Sequence, residues 1–462
     1  MGNNINGKDL IKLGYKQGVW IGLAMEAIGK MRHSSNKEKL DFAEDVLVNP
    51  DNYRDTQYWD KVVSTMYPIK KPTDLREKPV PYKIFGEPII ELGAINQMSQ
   101  ACRLPISIKG AILPDGHAGY GLNIGGVLAC DNAVIPYGVG VDISCSMKLT
   151  VYQHISFEKH HSQLVDSIVK NTFFGAGISN DKLLENEVIE NPLFNSTHLL
   201  RSLKDRAAKQ LGTSGGGNHF VEWGELTFNE DDLLPKGKYL ALLSHSGSRG
   251  LGANIANHYT NVAKRLRKLD SSIANLAWLN LDEEEGIEYW EAMNLAGDYA
   301  KACHDEIHKR IANSIKLEPI LTIGNSHNLA WKEIVDGKEL IVHRKGATPA
   351  GKGVMGIIPG SMATPGYVVR GKGNESSINS ASHGGGRQMS RTKAKETFNW
   401  KEVKEDLDKK GIHLISAGID ECMGSYKNIE SVMSYQTDLV DIVAKFMPKI
   451  VRMAGNDEEP EE

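Results

Sequence analysis

Glycine placement constrains this chain more than any other feature. Of its 462 residues 46 are glycine, and many sit in short runs beside His, Asn, Asp or Cys. The clearest runs are Gly138-Val-Gly140 before Asp142-Ile-Ser-Cys145, Gly215-Gly-Gly-Asn218-His219, and His383-Gly-Gly-Gly-Arg387. A residue without a Cβ lets backbone approach a ligand or another chain segment closely. Such clusters predict a globular protein with long functional loops, and no fixed-period repeat is visible. The remaining composition suits this reading: 40% hydrophobic and 24% charged residues supply a large core, and the length fits more than one unit. No apolar run reaches the ~18 residues a membrane helix needs, and no leader pattern precedes Asp9, so a cytoplasmic protein is expected. The five cysteines (Cys102, Cys130, Cys145, Cys303, Cys422) are scattered and odd in number, which fits free thiols in a reducing compartment.

The organisation changes near residue 75. Residues 1–75 read as a helical N-terminal extension, with helical spacing over Asp9–Ile28 and Tyr58–Met66. The four prolines between Pro68 and Pro81 read as a linker. Residues 76–455 read as a mixed α+β body. Strands are expected at Ile124–Ala129, Ala133–Ile135, Met147–Val151, Tyr239–Leu243, Leu340–His343 and Tyr367–Val369, and helices at Phe157–Val169, Ala253–Leu269 and Glu288–Ile311. The acidic stretch 456–462 reads as a disordered tail.

Net charge is −4, which makes no general case for a polyanionic partner. Between Arg344 and Lys395, however, nine Lys or Arg face a single acid, Glu375, amid many glycines. That window is expected to bind phosphate, with a solvated basic face as the bland alternative. Two motifs are decoys. Gly346-Ala-Thr-Pro-Ala-Gly351-Lys352 lacks the Ser or Thr and the helix start that a phosphate-binding loop needs. His304-Asp-Glu-Ile-His308 puts Asp where a zinc protease needs Glu, and reads as a surface pair on an ordinary helix.

Other segments carry metal chemistry. Asp142 and Cys145 are three residues apart and can converge on one or two ions, since a single sulfur can bridge. His219, His245 and His327 each stand beside a backbone-exposing or amide residue. Soft and borderline ligands of this kind suit Zn²⁺, Mn²⁺ or Fe²⁺ better than Mg²⁺.

The ordered set of motifs resembles the RtcB family of RNA ligases. It comprises Pro114-Asp-Gly-His117 through Gly126, Gly138 through Cys145, Gly215 through His219, His245-Ser-Gly-Ser-Arg249-Gly, Val342 through Thr348, Ile358-Pro-Gly-Ser-Met362 and Ser382 through Arg387. The resemblance runs from about residue 95 to 455. It implies an α+β fold and an enzyme that joins RNA 3′-phosphate or 2′,3′-cyclic phosphate ends to 5′-hydroxyl ends, using GTP and two Mn²⁺ ions. It implies that Asp142, Cys145 and His219 bind one ion, and that Cys145, His245 and His327 bind the other. His383 would be the nucleophile that takes GMP, with Arg249 and Arg387 handling phosphate. Asn218, Phe220, Glu222, Ser361 and Gly384 to Gly386 would surround the nucleotide. An archease-like activator and a monomeric state belong to the same expectation. Two departures touch guanine contacts: Arg452-Met-Ala-Gly455 lacks the family's terminal lysine, and Thr364-Pro-Gly366-Tyr367 lacks a serine. A metal-dependent phosphoesterase, or a protein that binds RNA ends without joining them, is the alternative. The extension faintly resembles the C-terminal element of tRNA nucleotidyltransferases (Asn6 through Gly14, Gly18, Gly22). It reads either as an RNA-binding accessory or as a packing element.

Overall fold

The computed structural model describes residues 5–66, 73–175 and 177–455. Helices and sheets both contribute, in the α+β arrangement expected. Two sheets form the body. The five-stranded sheet runs in the order Tyr82–Ile84, Ser107–His117, Ile124–Cys130, Lys338–Lys345, Asn328–Val335. The eight-stranded sheet runs Met355–Ile358, Gly366–Gly371, Val440–Met453, Phe220–Phe228, Gly237–Ser246, Ser146–Tyr152, Leu321–Ser326, with His413–Ser416 beside Val440–Met453. Strand Leu321–Ser326 closes one sheet and Asn328–Val335 closes the other, so His327 is the single residue between the two. A two-stranded ribbon, Ala347–Pro349 with Ser380–Ser382, continues from strand Lys338–Lys345 of the smaller sheet.

The helix Glu284–Ile315 covers one face of the larger sheet; its 32 residues make it about 48 Å long. Its inward stripe includes Tyr289, Met293, Ala296, Tyr299, Cys303 and Ile307, all buried. Against it packs Arg249–Leu266, whose Leu251, Ile255, Ala256 and Tyr259 recur at helical spacing in the same core. The observed helices Phe157–Asn171, Arg249–Leu266 and Glu284–Ile315 match the expected ones to within a few residues. Among the described residues, no helix is long and apolar enough to cross a membrane.

The N-terminal helices Gly7–Leu13, Val19–Lys30, Asn36–Val48 and Asp60–Met66 enclose their own core of Leu10, Tyr15, Ala27, Val46, Trp59 and Val62. Asn6 and Asp9 form a reciprocal capping box, and Gly14, at φ 109°, ends the first helix where L-residues rarely go. The bundle touches the body through Lys16 with Glu284 and Glu285, and Glu44 with His198. The linker reading is corrected in part. Residues 73–81 lie on the body: the Thr73 amide donates to the Lys268 carbonyl, the Arg76 amide donates to the Arg103 carbonyl, and Arg103 Nε donates back to the Arg76 carbonyl. Residues 67–72 and the acidic stretch 456–462 lie outside the described residues.

Candidate active site and metal centre

Strand register builds the centre. Ser146 pairs with Ser246 and with Ser326, and Phe220 pairs with His245. The residues at the same end of these four neighbouring strands are therefore Cys145, His245, His327 and His219. Cys145 Sγ lies 3.0 Å from His245 Nε2 and 3.4 Å from His219 Nε2. His245 Nε2 is 3.2 Å from His327 Nε2, and His219 Nε2 is 3.1 Å from Asp142 Oδ2. Asp142 reaches in past Gly247, where an added Cβ would fall 2.0 Å from its carboxylate.

The far ring nitrogens fix the tautomers of two of these histidines. His219 Nδ1 donates to the Ser214 carbonyl and His245 Nδ1 to the Asn218 carbonyl, so each neutral ring aims its Nε2 lone pair at the centre. Two lone pairs, a carboxylate and a thiol thus converge with no hydrogen-bond donor common to them all. A cation resolves that crowding, and the donor set suits a thiophilic or borderline divalent metal. Cys145, His219 and His245 form a metal-competent group by mutual distance alone. Burial drives the His245 pKa down to about 3, and holds His327 well below its ordinary value, so both stay neutral as ligands must.

His383 follows the short ribbon and stands next to this centre, its ring 5.1 Å from that of His327. One oxygen of the fully buried Asp115 accepts from His383 Nδ1 at 2.5 Å, from the His383 amide at 2.9 Å and from the Gly384 amide at 3.3 Å. The Nδ1 proton is thereby fixed toward the carboxylate, which leaves Nε2 as the nitrogen that can meet a ligand. Burial would raise the Asp115 pKa, but His383, with Lys427 beyond it, holds it below the ordinary range. Gly386, at φ 70°, passes so close to the Asp115 carbonyl that a Cβ would lie 2.2 Å from that oxygen.

A cavity of about 700 Å³ joins both features. Its walls include Asp142, Cys145, His219, His245, His327 and His383, and also Asn218, Phe220, Glu222, Ser361, Gly384, Gly385, Gly386 and Arg387. Burial pushes the Glu222 carboxyl up to about 8. Ser361 is tied to Thr364 by hydroxyl and amide bonds, and Phe220 packs against the His245 ring. Of the residues singled out in the sequence, Arg249 alone stands apart. It is buried behind Asp142, with Nε on Thr213 Oγ1, and lines an adjoining pocket of about 370 Å³ with Arg206, Gln210 and Asp142, which borders both.

Two sequence readings need correction, and two residues were passed over. The basic window is not one charged face: Arg344 pairs with Glu333 in the interior, Arg370 with Asp232, Lys372 with Asp441, and Arg387 and Arg391 with Asp420 or Glu421. His304 and His308 are not a surface pair; both are buried. Asp115 and Arg391 carried no assigned role, although both bear on the cavity. Asp115 stood inside a quoted motif, but nothing in the spacing tied it to a histidine 268 residues away.

A family model described as tRNA-splicing ligase RtcB matches residues 97–193 and 177–454. An RNA-splicing ligase RtcB of Escherichia coli K12 is 31% identical over 79% of this chain and 95% of its own. The tRNA-splicing ligase RtcB of Nanoarchaeum equitans is 32% identical over 80% of this chain and 95% of its own. That of Thermococcus kodakarensis is 29% identical, covering 77% and 89%. With two-thirds of the chain and more matched on each count, the protein belongs to the RtcB family of tRNA-splicing ligases.

Proposed function

We propose that this protein is a GTP-dependent RNA ligase that joins 3′-phosphate or 2′,3′-cyclic phosphate ends to 5′-hydroxyl ends through a covalent His383–GMP intermediate. The observation that carries the reading is the Asp115–His383 pair opening onto the same cavity as the Cys/His/Asp centre. Asp115 keeps the Nδ1 proton on His383, so Nε2 is the free nucleophile. Attack on the α-phosphorus of GTP forms an N–P bond and expels pyrophosphate. An oxygen of the RNA 3′-phosphate then takes the guanylyl group, breaking the N–P bond and returning the lone pair to Nε2. The 5′-hydroxyl attacks the activated 3′-phosphorus, loses its proton and displaces GMP; a cyclic phosphate is first opened by water.

Asp142, Cys145 and His219 would hold one Mn²⁺ and Cys145, His245 and His327 a second. Bound there, the metal supplies charge neutralisation on phosphate oxygens. Arg387 and Arg391 face the cavity already held by Asp420 and Glu421, so their guanidinium planes are oriented before substrate arrives. Asn218, Phe220, Glu222, Ser361 and the glycines Gly384, Gly385 and Gly386 are assigned to the nucleotide. Arg249, in the neighbouring pocket, is assigned to RNA phosphate. The proposal includes residues 1–75 as an accessory element and residues 76–455 as the ligase domain. It also includes action as a cytoplasmic monomer and stimulation by an archease-like partner.

The test is a label. With α-labelled GTP and Mn²⁺, the wild type should acquire an acid-labile covalent label, and His383→Ala should acquire none. His383→Ala should still join RNA whose 3′ end already carries guanylate. Arg452 does not replace the missing terminal lysine, since its guanidinium turns to the Ile168, Val169 and Thr172 carbonyls. Labelled ATP therefore belongs in the same experiment. No label from either nucleotide would favour a phosphoesterase or an RNA-end-binding protein.

A further inference from the structure

Behind the metal centre lies a second polar layer with no part in the chemistry above. Helix Glu284–Ile315 presents His304 and His308, four residues apart, to the face of strand Gly237–Ser246 that His245 does not use. Both rings meet one atom: Ser244 Oγ is 2.7 Å from His304 Nδ1 and 2.7 Å from His308 Nε2. His304 Nε2 lies 3.2 Å from the Ser246 carbonyl, and His308 Nδ1 lies 2.7 Å from Thr150 Oγ1.

The direction of every proton in this chain can be deduced. A carbonyl only accepts, so His304 carries its proton on Nε2 and its Nδ1 must accept. Ser244 therefore donates to His304, which leaves its oxygen to accept from His308 Nε2–H. His308 Nδ1 is then an acceptor, and Thr150 donates to it. The chain runs one way, from Thr150 through His308, Ser244 and His304 to the Ser246 carbonyl. Reversing any link would leave two donors or two acceptors facing each other in a buried site. The layer continues to the metal side: Ser246 Oγ donates to the Ser214 carbonyl, which also accepts the Nδ1 proton of His219.

We propose that His304 and His308 are positioning residues for the metal centre. Joined through Ser244, they clamp the strand on both sides of His245 and, through Ser246 and Ser214, set the aim of His219. The proposal rests on the reading of Cys145, His219, His245 and His327 as metal ligands.

The experiment titrates Co²⁺ into the protein without nucleotide and follows the thiolate-to-cobalt band and the bound stoichiometry. Ser244→Ala removes the shared atom; it should stay folded yet bind Co²⁺ about ten-fold more weakly or worse, as loss of outer-shell support does elsewhere. Ser244→Thr, which keeps the hydroxyl, should recover most of that affinity. Ile307→Ala opens a cavity on the same helix without touching the chain, and should lower thermal stability while leaving Co²⁺ affinity intact. Ser244→Ala with wild-type affinity would overturn the proposal, as would an equal loss of affinity in Ile307→Ala. Histidine ¹⁵N spectra of the metal-free wild type supply a second readout that needs no variant. Both His304 and His308 should be Nε2–H tautomers, and an Nδ1–H form of either would also overturn it. A wild type that takes up no Co²⁺ while showing those tautomers would remove the metal centre itself, and the positioning role with it.

Discussion

Asp115 and His383 are 268 residues apart in the chain and share a 2.5 Å hydrogen bond, with the carboxylate buried beneath the ring. The pair fixes which imidazole nitrogen is bare. Asp115→Asn preserves the shape but offers an amide that can impose the wrong tautomer. Covalent labelling by GTP should fall by about 10²- to 10⁴-fold, as it does where a carboxylate orients a catalytic histidine. Metal content should be unchanged, because Asp115 touches no proposed ligand. Wild-type labelling rates in Asp115→Asn would refute the orienting role.

Cys145 is the one sulfur among the converging donors. Two ions sharing it should sit about 3.5–4 Å apart, the usual separation in two-metal phosphoryl-transfer sites. Mn²⁺-loaded wild type should show magnetic coupling by electron paramagnetic resonance. Cys145→Ala should lose the coupling and at least one bound ion while its circular dichroism stays the same. Retained coupling in that variant would exclude a bridging thiolate.

Glu222 is buried against the cavity and its pKa is pushed up from 4.5 to about 8 by desolvation. Between those values the folded chain keeps a proton that the unfolded chain has released. Stability contributed by the neutral carboxyl is therefore complete below pH 4.5 and declines as pH rises toward 8. The slope is at most about 1.4 kcal/mol per pH unit. Glu222→Gln lacks this slope, so its advantage in melting temperature over nucleotide-free wild type should widen from pH 5 to pH 8. A constant difference would mean that the carboxyl ionises normally.

Internal pairing in the basic window lowers the expected salt dependence of RNA binding. Lys352, Lys393 and Lys395 have no ion pair among the described residues, whereas Arg344, Arg370, Lys372, Arg387 and Arg391 do. The slope of log K against log salt should thus reflect a few phosphates rather than nine. If Lys393 and Lys395 meet RNA phosphates, Lys393→Ala and Lys395→Ala should each reduce it by about 0.7, the single-strand value per contact. An unchanged slope in both would place the RNA path elsewhere.

Local chemistry was legible from the chain alone. Apolar spacing located the long helices Arg249–Leu266 and Glu284–Ile315, because a 3.6-residue period survives whatever packs against it. The residue types at Asp142, Cys145, His219, His245 and His327 announced a metal, because few other roles gather soft and borderline ligands beside exposed backbone. The long strand Val440–Met453 was missed. Its Pro448 and its register shift near Ile450 interrupt the alternation that marks a strand.

Only tertiary structure decided which side chains meet. His304 and His308 looked like a surface pair because helical spacing gives a stripe but not the face it turns to. The sheet beneath them supplied Ser244 and Thr150, and with those the buried side. Charge misled for a related reason. Arg344 lies in a basic run, yet its side chain reaches Glu333 on the neighbouring antiparallel strand, four residues along from its register partner Leu329, and a count along the chain cannot see across a sheet. Asp115 acquires its place only because strand Ser107–His117 ends beneath the ribbon that carries His383. Spacing governs contacts within one element, whereas the meeting of Asp115 with His383 depends on how separate elements stack, which local propensity does not encode.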